Sequence, residues 1–178
     1  PLPLIDASDI ARNPVDHFIL GQLEAQQLTL SPTADRATLI RRASLDLTGL
    51  LPSPQESDAF VNDMEPGAWG KVLDRLIDSR HYGERWGRHW LDSVGHTDTN
   101  TLDNDQVIVN PAKGKWRYRD YVVRSFNQDR PFQEFLVEQL AGDEMVDWRT
   151  ADHFDENIRR KLIATGMLRN SPDSTGAG

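Results

Sequence analysis

With 178 residues, 38% of them hydrophobic and 27% charged, the chain has the size and composition of one folded domain, able to bury roughly two thirds of its unfolded surface. Twenty-eight acidic residues against 20 basic ones give a net charge of -8, which argues against general affinity for nucleic acid or an anionic membrane but leaves room for a local basic patch. The lack of cysteine excludes disulfides, thiolate metal sites, a cysteine nucleophile and thioether haem attachment within these residues.

The first stretch, "PLPLIDASDIARNP", has no basic-then-apolar leader and reads as a linker over residues 1–12. A chain opening this way is expected to be an excised or processed piece of a longer protein. In "NPVDHFILGQLEAQQL", Asn13 serves as N-cap and Pro14 takes the first helical position, with apolar residues at 15, 18, 19 and 23. A second helix is expected from about Asp35, stopped near Gly49 and Pro52. "SPQESDAF" is a capping box, Ser53 capping while Glu56 reaches back. "GAWGKVLDRLIDS" spaces Trp69, Val72, Leu73, Leu76 and Ile77 along one helical face.

"HYGERWGRHWLDSV" follows as a fifth helix, then a loop rich in Asp, Asn and Thr from 97 to about 112. "KWRYRDYVVRSFNQD" and "RPFQEFLVEQLAGD" read as two helices, the second begun by Pro131 and ended by Gly142. A last helix, "DENIRRKLIATGML", precedes a tail over 171–178 with the composition of a flexible end. No run alternates with period two, none approaches the ~18 apolar residues of a membrane span, and no repeat is present. The expected fold is all-α: a compact bundle of six or seven helices over 13–170 with one long Asp/Asn-rich loop.

The fifth helix carries two patterns. Tyr82, Trp86, Trp90 and Val94 recur every four residues as an aromatic stripe expected in the core. Arg85, His89, Asp92 and His96, at spacings of four, three and four, would stack on one side within reach of each other. That row suits three jobs. His89, Asp92 and His96 would hold a divalent metal; Asp92 would orient a histidine as general base with Arg85 on an anionic substrate; or the row is a hydrogen-bond network locking the helix to its neighbours. No specific catalytic or phosphate-binding signature accompanies it.

"HTDTNTLDND" offers Asp98, Asn100, Asp103 and Asp105 as hard oxygen ligands, but the calcium-loop pattern lacks its glycine and its terminal glutamate, and Asp and Asn are ordinary turn formers. "KGKWRYRDY" interleaves Lys113, Lys115, Arg117 and Arg119 with aromatic rings, a pattern that grips phosphate or sulfate groups. Trp116 and Tyr121 are expected to pack inward, leaving the cations solvated or paired. Asp143, at the negative end of a helix dipole, calls for a cation, such as an arginine of "WRYRD". His17 and His153 receive no role.

Taken together, "NPVDHFILGQLEAQQL", "DRATLIRRASLDLTGLLPSPQE", "VLDRLIDSRHYGERWGRHWLD", "DTN", "WRYRDYVVRSFN", "RPFQEFLVEQLAGD" and "LIATGMLRN" resemble the planctomycete cytochrome-associated domain of unknown function, over about residues 12–170. The resemblance implies a module of large exported proteins, periplasmic or extracellular, following a cytochrome c-like domain. It also implies association with redox or polysaccharide-degrading systems, and it assigns no catalytic residues. Members commonly carry a Cys-x-x-Cys-His haem-attachment motif beyond the segment matching "LIATGMLRN"; this chain has no cysteine. Haem is thus expected in adjoining domains and no cofactor within the chain.

The expected role is structural, packing against cytochrome-type domains or subunits. A second reading places a polar or anionic carbohydrate, bound or hydrolysed, on His89, Asp92 and His96 with Arg85, Asp98 and Asn100, and with Arg117 and Arg119 as anion contacts. A third is an extracellular subunit that self-assembles, its first twelve residues reaching a neighbour.

Overall fold

Helix starts follow the local chemistry closely. Asn13 accepts from the backbone N–H groups of Val15 and Asp16 while the Asp16 carboxylate accepts from the N–H of Asn13, closing a capping box around α1 (Pro14–Ala25). Ser53 and Glu56 do the same for α3 (Pro54–Asn62). The computed structural model describes residues 2–6, 9–101, 109–111 and 113–169. Its contacts group into two compact units, Pro1–Asp35 and Arg36–Gly178.

In the first unit, residues 2–6 run beside α1. His17 Nδ1 lies 3.4 Å from the Pro3 carbonyl oxygen, and the Asp6 N–H donates to Glu24 Oε2 at 3.3 Å. A Cβ added to Gly21 would sit 3.5 Å from the Pro3 side chain, so the small residue lets the strand of chain lie close. Part of the stretch read as a linker is therefore laid against the helix that follows it. Leu20 is the buried hydrophobic residue of α1.

The second unit holds two cores. α2 (Arg36–Thr48), α3 and α4 (Ala68–Ile77) enclose Ile40, Ala43, Phe60, Ala68, Val72 and Leu76, with Trp69 and Leu73 packed at the edge. α2 stops where Gly49 takes a positive φ of 73°, a conformation that suits glycine. Arg36 ties the start of α2 to the end of α3: its guanidinium donates to the Phe60 and Asp63 carbonyls and lies 3.9 Å from the Phe60 ring centroid.

The other core is formed by α5 (Arg80–Ser93), α6 (Trp116–Asn127), α7 (Phe132–Ala141) and α8 (Glu156–Ala164) around Leu91, Tyr118, Tyr121, Val122, Phe135 and Ala164. α5 meets α6 through glycine. A Cβ on Gly83 would fall 2.3 Å from the Val123 carbonyl oxygen, and one on Gly87 would press Val122 and Val123. Asn127 uses this closeness, accepting from the Gly83 N–H at 2.7 Å and donating to the Arg80 carbonyl at 3.1 Å.

The all-α reading holds, with eight α-helices among the described residues where six or seven were expected. The stretch from 97 to 112 contains a short antiparallel pairing of β1 (Thr99–Thr101) with β2 (Val109–Pro111), Asn100 opposite Asn110. Three-residue strands are too short to show period-two alternation. The aromatic stripe of α5 is only partly internal. Trp86 is 38% exposed, because the α5 face turned to α6 is the Gly83, Gly87 and Leu91 row. On α6 the inward aromatic residues are Tyr118 and Tyr121 rather than Trp116. Burial follows positions 118, 121, 122 and 125, and Trp116 lies off that face.

Candidate functional site

The row read along the fifth helix does not form as one line. α5 ends at Ser93, and Gly95 adopts φ 64°. The His96 N–H then donates to the Leu91 carbonyl and the Gly95 N–H to the Asp92 carbonyl, the paired bonds of a glycine-terminated helix end. This turn removes His96 from the helix surface and folds it inward. Its side chain is 4% exposed, with the ring 5.4 Å from that of Tyr118. Nε2 lies 3.1 Å from Asp98 Oδ1, and the other Asp98 oxygen accepts from Arg119, which also reaches Asp120 at 3.3 Å. His96, Asp98 and Arg119 thus form a chain joining the end of α5 to α6.

Arg85, His89 and Asp92 stay outside on exposed helix surface. His89 meets the edge of the Trp86 ring, and Asp92 accepts from Arg88 at 2.8 Å in an exposed i,i+4 pair. Among the described residues no group of three or more His, Asp or Glu side chains converges as a metal site. Asp103 and Asp105 lie outside the described residues; Asn100 is described only through its backbone in β1. No ion pair joins Asp143 to an arginine among the described residues; Gly142, which ends α7, is needed there for closeness, since a Cβ would meet the Lys161 carbonyl oxygen at 2.4 Å.

What sequence reading missed lies on α6, α7 and α8. Glu138 is fully buried, and Arg130 and Arg160 both donate to its Oε1 while the Tyr121 hydroxyl donates to Oε2 at 3.0 Å. Beside it, buried Gln139 accepts at Oε1 from Trp90 Nε1 at 3.0 Å and from the Tyr118 hydroxyl at 2.5 Å. Burial pushes the Tyr118 phenol up to about 12, slightly offset by the Trp90 N–H that bonds its oxygen. Tyr121 is raised also, first by burial and then by the neighbouring Glu138 carboxylate. The i, i+1 pair "EQ" in an apolar helix was the available signal, because a fully buried carboxylate requires cations nearby.

Between α6 and α8 lies a cavity of about 420 Å³ lined by Arg117, Arg124, Arg130, Arg159, Arg160 and, on the acidic side, Glu156. A neighbouring hollow of about 640 Å³ shares Arg117, Arg124 and Arg159 and adds the rings of Trp116 and Phe154. Arg130 and Arg160 are engaged by Glu138, whereas Arg117, Arg124 and Arg159 have no carboxylate partner among the described residues. The structure therefore separates the two arginines expected as anion contacts. Arg117 opens on this groove; Arg119 is held by Asp98 and Asp120 on another side of the helix.

A family model described as PSCyt2, protein of unknown function (DUF1549), matches residues 14–177. No curated protein and no solved structure matches the chain.

Proposed function

This chain belongs to that family of unknown function, and from that premise we propose that it works as an extracytoplasmic helical module of a larger cytochrome-type protein, in a structural and interaction role. The observation that carries the reading is the outer face of α1. Val15, Phe18 and Ile19, spaced i, i+3, i+4, are each more than half exposed. Scattered exposed apolar residues are normal, but three together on one helical stripe are the pattern by which a helix lies against a partner. The family name points to a cytochrome-type domain as that partner. In the same reading, the His96, Asp98 and Arg119 chain and the Glu138 cluster stiffen the bundle that presents the module.

The test uses this chain and, separately, a cytochrome c-type domain taken from a family member in which the two adjoin. Sedimentation followed at the haem absorption band is expected to show the haem moving with the helical chain. Phe18→Asp with Ile19→Asp should abolish the association and leave the far-ultraviolet spectrum unchanged. Haem that sediments alone at hundreds of micromolar chain overturns the reading. Self-association of the chain, lost in the same double variant, would assign the α1 face to a second copy instead.

A further inference from the structure

We propose that the groove between α6 and α8 binds an anionic saccharide, a ligand whose sugar rings carry carboxylate or sulfate groups. This inference stands apart from the role of α1, since it rests on other residues.

The first argument is electrostatic. The chain carries an excess of eight negative charges, yet Arg117, Arg124 and Arg159 meet around one groove without a carboxylate of their own. Two carboxylates border the groove, Glu156 and Asp120, yet neither forms an ion pair with these three arginines. Asp120 pairs with Arg119, and Glu138 is enclosed by Arg130 and Arg160. Arg130, which also lines this cavity, has a buried Nε donor with no hydrogen-bond acceptor. Clustered guanidinium groups repel one another and present planar forks matched to the oxygens of carboxylate or sulfate.

The second argument is shape. Arg117 and Arg124 are seven residues apart on α6, two turns and about 10.5 Å along the axis, so the cations make a row rather than a single cradle. The rings of Trp116, 49% exposed, and Phe154, 39% exposed, line the same hollow as these arginines. The Arg117 guanidinium lies 5.5 Å from the Trp116 ring centroid, which sets a cation beside a flat apolar platform. A pyranose ring has this double character: an apolar C–H face that packs on an indole, and acid groups at its edge. An acidic peptide would use the arginines but has no need of the platforms, and the overall charge disfavours a nucleic acid.

The experiment is calorimetric titration of the chain at low salt with five probes. These are a galacturonate hexamer, a sulfated hexasaccharide, a neutral hexasaccharide, hexaglutamate and inorganic sulfate. One or both charged saccharides are expected to bind and the neutral one not. Arg124→Gln and Arg159→Gln should each weaken that binding about threefold to tenfold. Trp116→Ala should weaken saccharide binding by a similar factor while leaving inorganic sulfate unaffected. Arg41→Gln with Arg42→Gln, two exposed arginines of α2 away from the groove, should change nothing. All five side chains replaced are exposed, so thermal midpoints are expected to stay level and to certify folding. No saturable binding of either charged saccharide overturns the proposal, as does an equal loss in the α2 control. Hexaglutamate binding as tightly and ignoring Trp116→Ala would overturn it too, in favour of an acidic peptide.

Discussion

The α2–α4 core and the α5–α8 core are built from similar amphipathic helices and filled by different means. The first is aliphatic and aromatic: Ile40, Val72, Leu76 and Phe60 fill it, and Arg36 closes one end from outside. The second places two tyrosines, a glutamate and a glutamine inside, each bonded to a named partner. Apolar packing is non-directional and absorbs small changes of shape, whereas a buried polar network holds only while all its members are present. The difference therefore teaches where the fold has tolerance and where it has none. The arginine groove borders the intolerant half, through Tyr121, Arg130 and Arg160.

The largest effect should come from removing the centre of that network. Glu138→Ala leaves Arg130, Arg160 and the Tyr121 hydroxyl without their shared acceptor and is expected to cost about 3–5 kcal/mol, read by urea denaturation. An aliphatic change in the other core, Ile40→Val, should cost about 0.5–1.5 kcal/mol. Equal losses would erase the contrast between the two cores.

Alkali should distinguish them as well. Tyr118 ionises near 10 when unfolded and at about 12 when folded, because burial favours the neutral phenol. Between those values the unfolded chain has released a proton that the folded chain retains. The contribution is thus whole below pH 10 and lost as the pH rises towards 12, on the order of 2–3 kcal/mol. Tyr121 acts in the same direction. Stability measured from pH 9 to 12 should fall in the native chain and fall less steeply in Tyr118→Phe.

Gly83→Ala probes the seam between α5 and α6. The added methyl meets the Val123 carbonyl oxygen, backbone that cannot rotate away, so a loss of about 1–3 kcal/mol in thermal unfolding is expected. The smallest effect belongs to His89→Ala. His89 is exposed, and stability should stay within about 0.5 kcal/mol of the parent. A drop of several degrees in the melting midpoint would return His89 to a structural network, against its exposed position on α5.

The segments that form the eight α-helices among the described residues were legible in the chain, though six or seven helices were expected, because caps and periodicity are local. Asn13 with Pro14 and Ser53 with Glu56 each act within one turn of themselves, whereas Gly142 is required by the approach of the distant Lys161 carbonyl. The all-α class followed from those signals without any knowledge of what packs on what. Gly95 also stood in the sequence, yet its consequence did not. Whether the helix continues to His96 or turns there depends on a left-handed residue and on a pocket beside Tyr118 able to receive the ring.

Which residues face each other was settled by tertiary structure alone. A helical period says that Trp116 and Tyr118 point apart, but only the position of α7 and α8 makes Tyr118 the buried one. The same holds for the arginines: Arg117 and Arg124 are local to α6, while Arg159 arrives from a helix more than thirty residues further along, and nothing short-range in either segment encodes the meeting. Periodicity is a property of a few adjacent residues and is written in their order. A groove or a buried ion cluster is a property of distant segments, and it comes into being only when burial of the apolar faces brings them together.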